Sequence, residues 1–183
     1  PEFYKNQKFR LANLKMIDEF LEAKQLGIIT KPVLLGPVSF LMLGKEKEPG
    51  FDRIDLLENL LFVYFDILTL LIDNGVKWIQ FDEPFLALDL TPDQKKVFRI
   101  AYSRIRSNFP SISILVASYF DSLDDNSELA ADLPVDAIHI DLVRAPEQLE
   151  KILNLITADK KISLGIVDGR NIWKNDFKNS LNL

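Results

Sequence analysis

The chain has 183 residues, the size of one ordinary domain, and its composition of 48% hydrophobic and 27% charged residues is typical of a globular protein. Its net charge is −5 and its Lys and Arg residues form no cluster, so we expect no nucleic-acid or membrane partner. It has no Cys and a single His, which excludes disulfides and thiolate metal sites and predicts a reducing, cytoplasmic location.

The apolar residues predict five strands alternating with helices. An amphipathic helix at 10–26 precedes the first strand. The five strands are short and mostly continuous in their apolar residues, which is typical of a parallel sheet covered on both faces. They are predicted at 32–36, 78–83, 112–118, 137–142 and 162–167.

The predicted helices between the strands carry start and stop signals. Leucines at helical spacing over 56–72 precede Asn74-Gly75, a typical helix end. Thr91-Pro92-Asp93-Gln94 is a capping box that begins a helix to about residue 107. A short helix at 127–133 and one from Pro146 to about 156 complete the pattern.

Polar residues recur where each predicted strand ends. The strand spacing of about 25 to 45 residues predicts βα units, and no Gly-rich phosphate loop follows any strand. These features favour an α/β barrel of the TIM type, (βα)8, whose active site lies at the carboxyl ends of the strands; five strands are too few to close one, so we expect an incomplete barrel. The polar residues are Ser39, Asp82, Glu83, Ser118, Tyr119, His139, Asp141, Arg144, Asp168, Arg170 and Asn171.

Asp82-Glu83, at the end of an apolar strand, is the sharpest feature. The pair could act as general acid and base or bind a substrate ammonium group, or it could be structural. Since adjacent strand residues point to opposite faces, only one of the two can face the barrel axis. The residues alone leave both the functional and the structural interpretation open.

Three further stretches have a structural and a functional interpretation. His139 fits a hydrogen-bonded core residue better than a catalyst. Asp168, Arg170 and Asn171 surround Gly169; they either brace a turn through an Asp168–Arg170 contact or let Arg170 bind a carboxylate. The backbone N–H groups of 36–45 could bind an anion. These patterns do not choose between a hydrolase, a lyase and a transferase.

Four motifs together resemble one family. "KPVLLGPVSFLMLGK" (31–45), "WIQFDEP" (78–84), "HIDLVR" (139–144) and "LGIVDGRNIW" (164–173) are similar, in order and spacing, to the N-terminal domain of cobalamin-independent methionine synthase. The resemblance covers almost the whole chain. It implies that residues 1–183 are a piece of the N-terminal barrel of a two-barrel enzyme, without its C-terminal barrel and without the preceding N-terminal segment, which are its expected partners.

The resemblance also implies a chemistry. The family transfers a methyl group from 5-methyltetrahydrofolate polyglutamate to homocysteine and forms methionine. Its zinc is held by the C-terminal barrel and activates the homocysteine thiol, because a methyl group on a tertiary amine is a poor electrophile. The segment ahead of this one carries basic residues for the folate glutamate tail. The chain alone is therefore expected to be inactive and to bind no metal.

The resemblance bears on the site residues as well. Asp82 and Glu83 are similar in position to acids that serve the substrates in the family's C-terminal barrel, but Ser118-Tyr119 stands where that barrel has zinc ligands. The acids are thus expected to be a degenerate copy of the site. The candidates for substrate contact are Asp82, Glu83, Asp168, Arg170 and Asn171, with no catalytic residue. The alternatives are a non-catalytic, barrel-like binding or scaffold module and a stand-alone hydrolase.

Overall fold

A five-stranded parallel sheet forms the centre of the protein. The computed structural model describes residues 1–182. The strands are β1 (Glu2–Phe3), β2 (Val33–Leu35), β3 (Lys45–Glu46), β4 (Trp78–Asp82), β5 (Ser113–Ala117), β6 (Ala137–Asp141) and β7 (Lys161–Gly165). In the large sheet they lie in the order β2-β4-β5-β6-β7 and every neighbouring pair is parallel. All five predicted strands and the predicted α/β class are confirmed.

Helices connect the strands, as parallel pairing requires. They are α1 (Lys15–Gln25), α2 (Pro37–Met42), α3 (Leu57–Asp73), α4 (Pro92–Asn108), α5 (Ser127–Asp132), α6 (Gln148–Leu155) and α7 (Phe177–Ser180). The capping box at the start of α4 is confirmed, since Thr91 and Gln94 exchange side-chain to backbone hydrogen bonds. The helix predicted at 10–26 begins only at Lys15, whose N–H donates to the side chain of Asn13, so this end of the helix satisfies one of its unpaired donors.

The two faces of the sheet differ in what covers them. On the convex face, Ile79 and Phe81 of β4 are fully buried in the main core, together with residues of α3 and α4. The concave face has only a small apolar cluster, in which Trp78 and Tyr119 pack on Leu115, Ala117 and Ala137. Alternation along the strands places Gln80, Asp82, His139 and Ser163 on this concave face as well.

A second, two-stranded sheet was not predicted from the sequence. β1 and β3 pair in parallel, with Glu2 opposite Lys45 and Phe3 opposite Glu46. Phe3 is 1% exposed and fits against Gly44, where an added Cβ would lie 2.0 Å from the phenyl ring. A pair of two-residue strands has no periodicity for sequence analysis to detect.

Both outer strands of the large sheet have one neighbour each within residues 1–182. β2 pairs only with β4, and β7 pairs only with β6. Among the same residues, no helix combines the length and apolar character needed to cross a membrane.

Candidate functional site at the carboxyl edge of the sheet

The predicted site residues meet at the carboxyl edge of the sheet. The register places Leu35, Asp82, Ala117, His139 and Ser163 side by side in one row across the five strands. These residues point to the concave face, because they alternate with the strand residues that enter the convex core. Sequence positions far apart thereby form one row, in which Asp82, His139 and Ser163 are polar.

Asp82 faces the concave side. Its Oδ1 accepts a hydrogen bond from Nε2 of Gln80 at 2.7 Å, and its Oδ2 accepts one from the hydroxyl of Tyr119 at 3.2 Å. Burial, and then the charge of Asp82, raise the pKa of Tyr119 to about 12, so the phenol stays protonated and keeps donating. Asp82 is only half-buried and is therefore open to a ligand on this face.

Glu83 points the opposite way and is fully buried on the helix side. Its carboxylate accepts hydrogen bonds from the backbone N–H groups of Val38 at 3.3 Å and Ser39 at 2.7 Å. The hydroxyl of Tyr102 donates a third bond at 2.8 Å. Two of the backbone N–H groups that could bind an anion at residues 36–45 are thus occupied by the protein's own Glu83, at the first turn of α2.

Burial dominates the protonation of this carboxyl group. It raises the pKa of Glu83 to about 7, although the hydrogen bonds from Ser39, Tyr102 and Val38 work in the opposite direction. Burial and the neighbouring charge of Glu83 also raise the pKa of Tyr102. A ligand on the concave face does not reach Glu83, so its evident role is to fix α2 against β4 and α4.

Gly36 is the residue that makes room for this contact. A Cβ added at Gly36 would lie 2.1 Å from Cδ of Glu83, far inside van der Waals contact. Gly36 and Pro37 begin α2, and the N–H of Gly36 binds the carbonyl of Asp82 at 2.7 Å. The absence of a side chain at Gly36 therefore lets the Glu83 carboxyl group lie close to the backbone at the start of α2.

His139 lies on the concave face, next to β7. Its Nδ1 is 2.9 Å from Oγ of Ser163. Burial lowers the pKa of His139, an effect that the charge of Asp141 partly opposes. A Cβ added at Gly165 would lie 2.9 Å from its Nε2, so the glycine leaves space at the far side of the ring. His139 is hydrogen-bonded, as the structural interpretation requires, but one nitrogen faces open space.

The turn after β7 brings Asp168, Arg170 and Asn171 to the same edge. Asp168 accepts bonds from the backbone N–H of Arg170 at 3.0 Å and from Nδ2 of Asn171 at 2.9 Å. The predicted Asp168–Arg170 contact exists, but through the backbone of Arg170. Its guanidinium group lies 5.9 Å above the ring of Phe120 instead. The guanidinium therefore remains available at the rim.

Sequence reasoning missed Tyr102, Ser163 and Gly165. Tyr102 occupies an ordinary apolar position of α4, so no signal marks its contact with Glu83. Ser163 and Gly165 alternate on one face of β7, opposite His139 and Asp141. Small residues on one face of a strand are a signal of close approach that sequence analysis could have used.

The comparisons with known proteins match the whole chain to one family. The model of the family described as "Cobalamin-independent synthase, N-terminal domain" matches residues 1–183. The chain belongs to this family. A 5-methyltetrahydropteroyltriglutamate–homocysteine methyltransferase of Flavobacterium johnsoniae is 55% identical over 100% of the chain, and one of Cytophaga hutchinsonii is 54% identical over 98%. The predicted resemblance is confirmed.

The chain spans 24% of the length of these two relatives. A solved structure of a B12-independent methionine synthase from Shewanella sp. W3-18-1, in complex with selenomethionine, is similar in fold, with a TM-score of 0.59. It is 16% identical in sequence, and the match covers 85% of this chain and 60% of that one. At this identity the structure supports the fold alone. Within residues 1–182, no group of three or more His, Cys, Asp or Glu side chains is arranged to hold a metal ion.

Proposed function

We propose that residues 1–183 form part of the N-terminal barrel of a two-barrel, zinc-dependent methyltransferase. The enzyme would transfer a methyl group from 5-methyltetrahydrofolate polyglutamate to homocysteine and form methionine. The observation that carries this proposal is the 55% identity, over the whole chain, to a relative named for this reaction. The open five-stranded sheet agrees with a barrel that is completed by other parts of the same polypeptide.

Within this proposal the two adjacent acids have different roles. Asp82 would contact substrate, since its half-buried carboxylate lies on the concave face. Glu83 would act indirectly, because its contacts with Ser39 and Tyr102 hold the end of β4 in position. Asp168, Arg170 and Asn171 would line the rim of the same site, with the guanidinium of Arg170 facing substrate.

Zinc would be bound outside this chain, by the C-terminal barrel. Ser118 follows β5 and is 3% exposed, and neither its hydroxyl nor the phenol of Tyr119 is a ligand that zinc prefers. The metal would hold the homocysteine thiol as a thiolate at neutral pH. The reaction needs this strong nucleophile because a methyl group on a tertiary amine is a poor electrophile. The isolated chain is accordingly expected to produce no methionine.

A chimera tests the proposal. Residues 1–183 replace the matching segment of the Flavobacterium johnsoniae relative, and methionine formation from homocysteine and 5-methyltetrahydropteroyltriglutamate is measured together with zinc content. We expect turnover that a chelator abolishes. In this chimera Asp82→Asn should lower kcat/KM about tenfold or more. The matched control is Asp66→Asn, an exposed carboxylate on α3, which should leave kcat/KM unchanged.

Two results would contradict parts of this proposal separately. A folded, zinc-loaded chimera without turnover would refute the methyltransferase assignment and favour the non-catalytic binding or scaffold module. Equal kinetics for the Asp82→Asn and Asp66→Asn chimeras would leave the enzyme assignment intact and refute substrate contact at Asp82.

A further inference from the structure

A cavity of about 290 Å³ opens at the carboxyl edge between β5, β6 and β7. His139, Gly165, Tyr119, Phe120 and Arg170 are among the residues that line it. The missing side chain of Gly165 leaves the cavity open beside Nε2 of His139, where a Cβ would otherwise lie at 2.9 Å. The cavity therefore offers access to an imidazole nitrogen.

The acceptors around this cavity are already occupied. Oδ1 of Asp141 accepts the backbone N–H groups of Val143 and Arg144, both at 3.0 Å, and its Oδ2 accepts that of Phe120 at 3.1 Å. The Asp168 carboxylate accepts the N–H of Arg170 and the amide of Asn171. Both carboxylates thus fold the turns of the rim and present few free lone pairs to a ligand.

The hydrogen-bond donors around the cavity are less occupied than these acceptors. The side chains of Arg144 and Arg170 both line it, and neither forms an ion pair with a carboxylate within residues 1–182. Both guanidinium charges help to lower the pKa of Asp168, after the larger effect of its hydrogen bonds, so both lie near this rim. Guanidinium groups with free N–H donors bind carboxylate and phosphate oxygens.

The tautomer of His139 adds one more donor. Burial lowers the pKa of this ring, so the imidazole is neutral at pH 7. We assign the Ser163 hydroxyl, whose Oγ lies 2.9 Å from Nδ1, as the donor in this contact. A neutral ring that accepts at Nδ1 carries its proton on Nε2. With this assignment, Nε2 is an N–H donor next to Gly165, and both residues line the cavity.

We infer that this cavity binds a small oxyanion, whose oxygens accept hydrogen bonds from Nε2–H of His139 and from the guanidinium groups of Arg144 and Arg170. The inference deepens the proposed function, on which it rests for a substrate site at this edge, by naming the chemical class of the group bound there. A carboxylate and a phosphate share this chemistry.

The single histidine makes the test direct. The isotope-labelled chain has one imidazole, so its NMR signals belong to His139 without further assignment. Sodium acetate and inorganic phosphate are titrated at constant ionic strength, with uncharged acetamide as the reference. We expect saturable shifts of the ring signals with a dissociation constant on the order of 1 mM. Saturation by acetate alone identifies a carboxylate subsite, and saturation by phosphate alone a phosphate subsite.

Matched arginine variants complete the test. Arg144→Gln and Arg170→Gln should each raise the dissociation constant about threefold, whereas Arg99→Gln on the exposed face of α4 should not. Linear shifts with both anions, an equal response to acetamide, or equal constants for all three variants would overturn the inference. Because the readout is independent of turnover, it stands or fails separately from methyl transfer.

Discussion

At the scale of single residues, the protonation of Glu83 links stability to pH. Burial raises its pKa from 4.5 to about 7, so between these two values the folded chain holds a proton that the unfolded chain has released. The stabilisation is therefore complete below about pH 4.5 and is lost as the pH rises through about 7. A shift of this size corresponds to on the order of 3 kcal/mol.

Glu83→Gln should remove this dependence. The amide keeps the shape of the side chain and does not titrate. It has one acceptor oxygen, so it keeps only one of the two bonds that Oε1 and Oε2 of Glu83 accept from the N–H groups of Val38 and Ser39. We expect the free energy of unfolding of the unsubstituted chain to fall between pH 5 and pH 8 by on the order of 3 kcal/mol more than that of Glu83→Gln. Urea titrations at the two pH values measure the difference.

The control is Glu150→Gln, which changes an exposed carboxylate on α6 and should leave the pH profile as it is. Parallel profiles for the chain with and without Glu83→Gln would show that the buried carboxyl group does not titrate in this range.

At the scale of secondary-structure elements, α4 carries its own start signal. Oγ1 of Thr91 accepts the N–H of Gln94 at 3.3 Å, and Oε1 of Gln94 accepts the N–H of Thr91 at 2.9 Å. These bonds satisfy backbone donors that the first turn of a helix leaves unpaired. Thr91→Ala should lower the free energy of unfolding by about 1 kcal/mol in urea titrations.

Thr30→Ala serves as the matched control, because Thr30 is exposed and lies outside every helix and strand. A loss for Thr91→Ala no larger than that for Thr30→Ala would mean that α4 is stabilised by its packing alone. Phe98, Ala101, Tyr102 and Ile105 of this helix are fully buried, and they supply that packing.

At the scale of the whole molecule, we expect the two outer strands of the large sheet to govern association between copies of the chain. β2 and β7 each present an edge without a partner strand within residues 1–182, and Val33 on β2 is 49% exposed. Unpaired edges with apolar side chains favour association between copies. We expect the isolated chain to self-associate as its concentration rises, which sedimentation velocity measures directly.

Val33→Lys should reduce this association, since a charge on an edge strand opposes pairing. Ile100→Lys is the control, because Ile100 is 37% exposed and lies on helix α4, outside both edge strands. A monomer of high thermal stability across the concentration range would contradict the interpretation of the sheet as part of an unclosed barrel.

The sequence by itself determined the five strands of the large sheet and their order along the chain. Apolar runs of strand length, the Asn74-Gly75 stop and the capping box at Thr91 act between near neighbours, and each is readable from a few residues. The parallel sheet followed from them, because helices between strands require crossover connections. The family resemblance likewise rested on contiguous motifs.

Only the tertiary structure decided which acid of the pair is buried and which lies on the open face of the sheet. Alternation required the side chains of Asp82 and Glu83 to point to opposite faces of the sheet. Which face each one takes depends on α2, because its N–H groups, more than forty residues earlier in the chain, bind Glu83. The pairing of His139 with Ser163 and the space left by Gly165 depend in the same way on the register between β6 and β7. Such contacts join distant residues through packing, and local periodicity carries no information about them.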